Sequence, residues 1–378
     1  MFSAEQQQIR DTARAFAQAR LVPNAPKWDR GEGVPPRGVF AEMGQLGLMG
    51  VLAAEEWGGA AADFTSYVLA LEEVAAGDGG VSTVMSVNNS PVGAAIGRYG
   101  TEEQKRRFLV PLVRGDWNGA FCLTEPQAGS DASALKTRAR LEGNKWVLNG
   151  TKVFVTSGLS AGVAMVFAVT DPDKAKRGIS CFLVPTGAKG WVVARQEEKL
   201  GQRASDTCQI VLDNLEVTPD LMLGARGEGY RIALANLESG RIGIAAQATG
   251  MARAAFETAL AYAKERESFG QKIIQHQAVA FRLADMATKI EAARQMVHYA
   301  AALKDVGRPC LKEASMAKLF ASEMAEKVCS DAIQIHGGFG YLADFPVERI
   351  YRDVRVCQIY EGTSDIQRLI IAREIGRG

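Results

Sequence analysis

The hydrophobic period of this chain changes twice, and that double change limits its fold more than any other feature. From Ser3 to about Asn118 apolar residues recur at helical spacing. Near Ala120 short β-rich runs replace them, and from about Gly227 helical spacing returns and persists. This order predicts a mainly α protein with a β middle domain (α–β–α). A helical N-terminal domain is expected over 1–119, a small antiparallel β-barrel or sandwich over 120–224, and a C-terminal four-helix bundle over 225–378. A chain of 378 residues is too long for one compact core, which agrees with two or three domains.

Local signals mark the pieces. Ser3-x-x-Gln6 and Thr101-x-x-Gln104 read as capping boxes, where hydroxyl and amide satisfy free backbone N–H groups at a helix start. Pro23 and Pro26 stop the first helix, and Gly47 follows one marked by Phe40, Met43 and Leu46. Asp63 caps a helix whose Tyr67, Val68, Leu71 and Val74 share a face, and another is expected over 81–99. In the middle block Lys145-Trp146-Val147-Leu148 lies between two turn dipeptides, Gly143-Asn144 and Asn149-Gly150. Strand runs follow at 152–156, 163–170, 178–185, 191–195 and 208–215. Long amphipathic helices are expected over 232–266, 278–305, 312–336 and 347–374.

Composition removes several function classes. A formal net charge of +1 provides no global field for nucleic acid or an anionic membrane. Cys122, Cys181, Cys208, Cys310, Cys329 and Cys357 contain no C-x-x-C pair, and His276, His298 and His336 have no ligand spacing, so neither disulfides nor a metal is expected. No apolar run is long enough to span a bilayer. With a helix opening at Ser3, no targeting segment is expected, which points to a bacterial-type cytoplasm, or to the mitochondrial matrix after processing.

Five stretches can carry chemistry, and each has a plainer structural reading. Tyr360-Glu361-Gly362 sets a carboxylate between a ring and a glycine, at the close of an apolar segment. Desolvation there would raise its pKa and make a general base, although the same residues read as a helix end facing water. Phe121-Cys122-Leu123-Thr124-Glu125 leads into a loop, through Ser130, that could bind a polar cofactor edge or merely connect. Strand alternation puts Phe154 and Thr156 on one face, suited to a flat heterocycle or to a core. Arg266 ends a helix, where guanidinium serves phosphate or the helix dipole. Gln334-Ile335-His336-Gly337-Gly338-Phe339-Gly340 allows close ligand approach, but it is neither a Walker loop nor G-x-G-x-x-G, and nothing suggests a nicotinamide fold.

Taken together, L-T-E-P-x-A-G-S-D, a strand ending Phe-x-Thr, R-x-S-F-G, Q-x-x-G-G and Y-E-G-T-S-x-I-Q-R, in this order, closely resemble the acyl-CoA dehydrogenase family over essentially the whole chain. The resemblance implies FAD, a homotetramer built as a dimer of dimers, an acyl-CoA substrate and reoxidation by an electron-transfer flavoprotein. It implies flavin contacts from Leu123, Thr124, Phe154 and Thr156, with Ser130 near flavin or pantetheine. Arg266, Phe269, Gln277, Gln334, Gly337 and Gly338 would hold the pyrophosphate and adenosine, partly across a subunit interface, and Thr363 and Asp365 would also touch the cofactor. Glu238, Arg241, Tyr360, Glu361 and Gly362 would line the substrate, with Glu361 as α-proton base and hydride passing to flavin N5. Some members carry the base one residue before the arginine matching Arg241, but that residue here is Gly240. Phe154 and Ser157 stand where many members have tryptophan and asparagine. Ser86-Val87-Asn88-Asn89-Ser90 and Gly240-Arg241-Ile242-Gly243-Ile244-Ala245 resemble the short-chain (butyryl) branch. Ser315-Met316-Ala317-Lys318-Leu319-Phe320 also resembles short branched-chain members. An acyl-CoA oxidase, a non-catalytic flavin- or acyl-CoA-binding protein and the nucleic-acid-associated branch of the superfamily compete with the dehydrogenase.

Overall fold

A computed structural model of the protein describes residues 2–377. Both capping boxes form: the Ser3 hydroxyl accepts from Gln6 N–H at 3.1 Å while the Gln6 amide accepts from Ser3 N–H at 2.9 Å, and Thr101 and Gln104 do the same. Helix α1 (Ala4–Phe16) is followed by the short α2 (Ala25–Asp29), with Pro26 in its first turn, and by α3 (Arg37–Gln45). Asp63 caps α4 (Phe64–Gly77) and Asp78 caps α5 (Gly79–Val87). The helix expected over 81–99 continues past α5, but Asn88–Gly93 winds in wider π turns around Pro91, which has no N–H to donate, before α6 (Ala94–Tyr99). Then come α7 (Glu102–Gln104) and α8 (Val110–Val113).

The middle block forms one sheet of β1 (Asn118–Cys122), β2 (Arg138–Glu142), β3 (Lys145–Thr156), β4 (Ala161–Val169), β5 (Ile179–Pro185), β6 (Trp191–Gln196), β7 (Thr207–Val217) and β8 (Met222–Leu223). The order is β6-β7-β3-β2-β4-β5-β8, with β1 on β4. Most pairs are antiparallel, but β1 and β2 each meet β4 in parallel, so the sheet is mixed. Asn149-Gly150 is not the turn expected of it. β3 runs straight through as a bulge, and a Cβ at Gly150 would press into Thr137. A second shift, between Lys152 and Val155, turns Phe154 to φ +57° and leaves it 70% exposed.

Helices α9 (Gly229–Glu265), α10 (Gln277–Asp305) and α11 (Leu311–His336) match expectation to within a few residues. The fourth does not. The expected 347–374 helix is broken into α12 (Pro346–Val354) and α13 (Ser364–Ile375), and Glu361 lies in the break. At 37 residues, α9 runs for about 55 Å at helical rise. Its Ile232 and Ala233 pack with the sheet, while Ile242 to Ala263 pack with α4, α5, α10 and α11. Alanine and glycine allow this close approach: a Cβ at Gly250 would strike the Glu72 carbonyl on α4. Among the described residues no helix is long and apolar enough to cross a membrane.

Candidate active site

Glu361 is placed by the break between α12 and α13. The chain makes one tighter turn over Arg355–Gln358 and reverses through Glu361 at φ +52° and Gly362 at φ +95°. Left-handed backbone is routine for glycine and uncommon for glutamate, so the surroundings must hold it. Thr363 caps α13 by accepting from Ile366 N–H at 3.4 Å. Buried Gln367 donates to the carbonyls of Glu361 and Gly362 at 3.3 and 2.9 Å. Lys318, fully buried on α11, donates to the Gly362 carbonyl at 2.7 Å.

The carboxylate so held meets Gly240 of α9, where an added Cβ would overlap Glu361 Oε2. The two chain positions at which the resemblance allows a base therefore converge on one point in space, and only Glu361 has a carboxylate to put there. Its Oε2 is enclosed and finds no hydrogen-bond partner among the described residues. Loss of hydration pushes the carboxyl up to about 7, with Arg241 and Lys318 pulling the other way. Burial also holds Arg241 below its usual range, against the attraction of Glu361 and Glu238, and its Nε has no partner among the described residues.

Two expected substrate residues are otherwise engaged. The Tyr360 hydroxyl donates to Gln247 Oε1 and accepts from Gln202 Nε2 at 3.4 Å. Gln247 continues to the Gly79 carbonyl and the Ser82 and Thr83 hydroxyls. Tyr360 thus anchors the loop through a buried network, and its hydroxyl is not free for a ligand. Glu238 is drawn to Lys304 at 3.7 Å and accepts from the Cys310 thiol at 3.7 Å, which ties it to α10 and the start of α11.

A second group of residues gathers at the end of β3. Val153 N–H donates to the Thr124 carbonyl at 3.0 Å, so the Leu123–Thr124 stretch is stitched beside Phe154 and Thr156. Beneath it Lys152, wholly buried, donates to the Leu123 carbonyl at 3.3 Å and to Glu125 Oε1 at 2.7 Å. Glu125 also accepts from Lys136 and Thr137 N–H, and although burial opposes it, the Lys152 charge brings its carboxyl down to about 2. Phe154 faces outward, Thr156 is half-buried, and Ser157 at φ +60° has a buried hydroxyl with no partner among the described residues. The bulge, not simple alternation, presents the Phe154 ring. Ser130 is exposed on the loop beyond.

The remaining expected cofactor residues lie elsewhere. A cavity of about 470 Å³ is lined by Tyr262, Arg266, Ile335, His336, Gly337 and Gly338, among others. Arg266 sits over the Phe339 ring at 5.5 Å and makes no ion pair among the described residues. Gly337, at φ +60°, and Gly338 have open space where a Cβ would be. Phe269 is 97% exposed, and Gln277 and Gln334 are exposed too. His336 stacks on Tyr262 and bonds the Ala332 carbonyl, an interior role. Asp365 is exposed at the start of α13, 3.5 Å from Arg368, where negative charge suits the helix dipole. An exposed ring two residues from a threonine hydroxyl, and a guanidinium without an ion pair among the described residues in a cavity that bare glycines also line, fit the flat and the anionic ends of FAD. No residue is shared between the two groups. A further cavity of about 360 Å³, at Met49, Trp57, Asn89 and Leu112, is lined by none of these residues.

Sequence reasoning missed Lys318, Gln367 and the Lys152–Glu125 pair. A signal existed for Lys318: it shares a helix face with Ala314 and Ala321, all wholly buried, so it is a charge on an apolar stripe. Gln367 lies inside Y-E-G-T-S-x-I-Q-R, but a glutamine in a motif does not say which backbone groups it will reach.

Family models for the N-terminal, middle and C-terminal domains of acyl-CoA dehydrogenases match residues 3–116, 120–215 and 227–376. The chain belongs to the acyl-CoA dehydrogenase family, whose members are FAD-dependent oxidoreductases acting on acyl-CoA. Within it, the chain is 44% identical over 373 residues to a short-chain specific acyl-CoA dehydrogenase of Clostridium acetobutylicum, covering 99% of this chain and 98% of that one. It superposes on butyryl-CoA dehydrogenase from Megasphaera elsdenii with a TM-score of 0.97 and 40% identity, covering 100% and 99% of the two chains. A chain from work on the electron transferring flavoprotein of Acidaminococcus fermentans and flavin-based electron bifurcation gives a TM-score of 0.98 and 44% identity, covering 100% and 99%.

Proposed function

We propose that this protein oxidises a short straight-chain acyl-CoA thioester to its trans-2-enoyl-CoA, with Glu361 as the base. The observation that carries the reading is the Glu361 carboxylate beside Gly240, its Oε2 enclosed and without a hydrogen-bond partner among the described residues; burial there raises its pKa to about 7. The α-carbon loses its proton to Glu361, and the backbone N–H of Glu361 donates to the thioester oxygen as charge develops there. Arg241 and Lys318 supply positive field to the same volume. FAD, when bound, would supply the hydride acceptor that the two-electron oxidation at the β-carbon requires. Leu123, Thr124, Phe154 and Thr156 would hold its ring, with Ser130 near it or the pantetheine. Arg266, Phe269, Gln277, Gln334, Gly337 and Gly338 would hold its pyrophosphate and adenosine. By the family resemblance, the protein would assemble as a homotetramer in which one chain completes another's cofactor site. Thr363 and Asp365 would join from α13.

The preference for short chains rests on the α9 face next to Arg241. Around Gly243 the Tyr67 hydroxyl, Ser86 Oγ and Leu71 would lie 3.2, 3.4 and 3.5 Å from an added Cβ, so α9 packs closely against α4 and α5 at that point, which favours a short acyl tail. The relatives named for short-chain and butyryl substrates favour the same reading, and the one bearing on an electron transferring flavoprotein favours such a partner as electron acceptor. We place the domain boundaries at 119/120 and 224/225 and the protein in a bacterial-type cytoplasm. Anaerobic absorbance titration with butyryl-, isobutyryl- and octanoyl-CoA tests the reading. The flavin band should bleach with butyryl-CoA and stay oxidised in Glu361→Gln. Bleaching by octanoyl-CoA alone would overturn the chain-length assignment, and bleaching in the variant would overturn the base.

A further inference from the structure

Lys318 is an unusual residue to find where it is. It lies in the third turn of α11 with no exposure, and among the described residues its ammonium makes one hydrogen bond, to the carbonyl of Gly362, the residue after the base. An ammonium group has three donors, and an isolated buried charge is expensive, so a lysine kept here needs an electrostatic reason. The groups around supply it. Glu361 is faced by Arg241 from α9, Lys318 from α11 and the Tyr67 hydroxyl from α4. Lys318 is faced in turn by Cys357, Glu361, Arg241 and Glu323, and Arg241 by Glu238 and Arg373. A purely structural tie to Gly362 would not need the charge, because Gln367 already donates to the same carbonyl at 2.9 Å.

We propose that Lys318 is a positioning residue for the base: its ammonium holds the Glu361–Gly362 turn through the Gly362 carbonyl and, with Arg241, supplies the positive field in which the carboxylate works. This rests on Glu361 being the base. The sign follows from the charges. A cation beside Glu361 stabilises its ionised form, so removing the cation raises the base's pKa and moves the acid limb of kcat/KM to higher pH. Burial pushes Lys318 itself down to about 8, so its charge is present at neutral pH and below, where the acid limb lies.

The test follows kcat/KM for butyryl-CoA against pH in flavin-loaded wild type, Lys318→Met, Lys318→Arg and Glu361→Gln, with thermal midpoints alongside. In Lys318→Met the acid limb should move up by about one pH unit and the rate at neutral pH fall roughly five-fold, without loss of thermal stability. Lys318→Arg should keep the limb near its wild-type place. A folded Lys318→Met with an unmoved limb overturns the proposal, as does a rate loss that only follows a lower thermal midpoint. If Lys318→Met does not fold, Lys318→Gln replaces it: a raised limb in Gln but not Arg supports the role, and identical limbs overturn it. Glu361→Gln separates the two ideas. Turnover by that variant defeats the base, whereas an inactive Glu361→Gln beside an unmoved Lys318→Met limb defeats only Lys318.

Discussion

At the scale of single residues, Glu361 is a group whose usefulness works against folding. Its carboxyl is raised from 4.5 to about 7 by loss of hydration, so the folded state prefers it protonated. Between those values the folded protein binds the proton more tightly than the unfolded chain, and stability falls as pH rises. Above pH 7 the penalty is complete, on the order of 3 kcal/mol for a shift of this size. Glu361→Gln should therefore abolish turnover and also stabilise the protein, by little near pH 5 and by up to about 3 kcal/mol near pH 8. Denaturant midpoints of the two proteins across that range check it, and a constant difference would disprove it. Such a conflict is what a sequence shows least, because Tyr-Glu-Gly looks the same whether its carboxylate meets water or Gly240.

At the scale of elements, the middle sheet turns a buried ion pair into a platform. Lys152 and Glu125 are both essentially excluded from water, and the lysine also holds the Leu123 carbonyl. Removing one partner of a buried pair leaves the other uncompensated, which typically costs about 3–5 kcal/mol. Lys152→Met should lose that much in urea unfolding and weaken flavin retention on dialysis, since the Leu123–Thr124 stretch loses its support. Unchanged stability would mean the pair contributes nothing net. Strand alternation located Phe154 and Thr156 but not how Phe154 is presented: bulges at Asn149-Gly150 and at Phe154 depend on which strand lies alongside. Likewise, the α12–α13 break has no proline to announce it, and the 347–374 stretch reads as one helix until tertiary contacts open it.

At the scale of the whole molecule, α12 joins the parts. Asp353 accepts from the backbone N–H of Gln202 in the middle block, and Arg349 bridges Asp353 at 3.3 Å and Asp78, the cap of α5, at 3.8 Å. Arg352 grips Asp29 of α2 with bonds of 2.8 and 2.6 Å. Burial raises the carboxyls of Asp78 and Asp353 while Arg349 opposes it. With Arg349→Met the two carboxyls lose the cation that opposes their burial and rise further, which should cost about 3–5 kcal/mol near pH 7.5, where the unfolded chain's carboxylates are fully ionised. Below their raised folded-state values they take up protons that the unfolded chain still lacks, so part of the loss should return near pH 5.5. Urea unfolding at the two pH values measures this, and a loss independent of pH would refute it.

The sequence by itself determined the α–β–α order, both capping boxes, the extents of α9 to α11 and the family, because these rest on period, caps and motifs that act within a few residues of one another. Only the tertiary structure decided that Glu361 opens a helix break onto Gly240, that Lys318 lies beneath it, that Tyr360 faces inward and that β3 passes through Asn149-Gly150. Those features depend on which atoms from distant segments displace water around a given group, and desolvation is a property of the packed molecule that no local stretch of chain encodes.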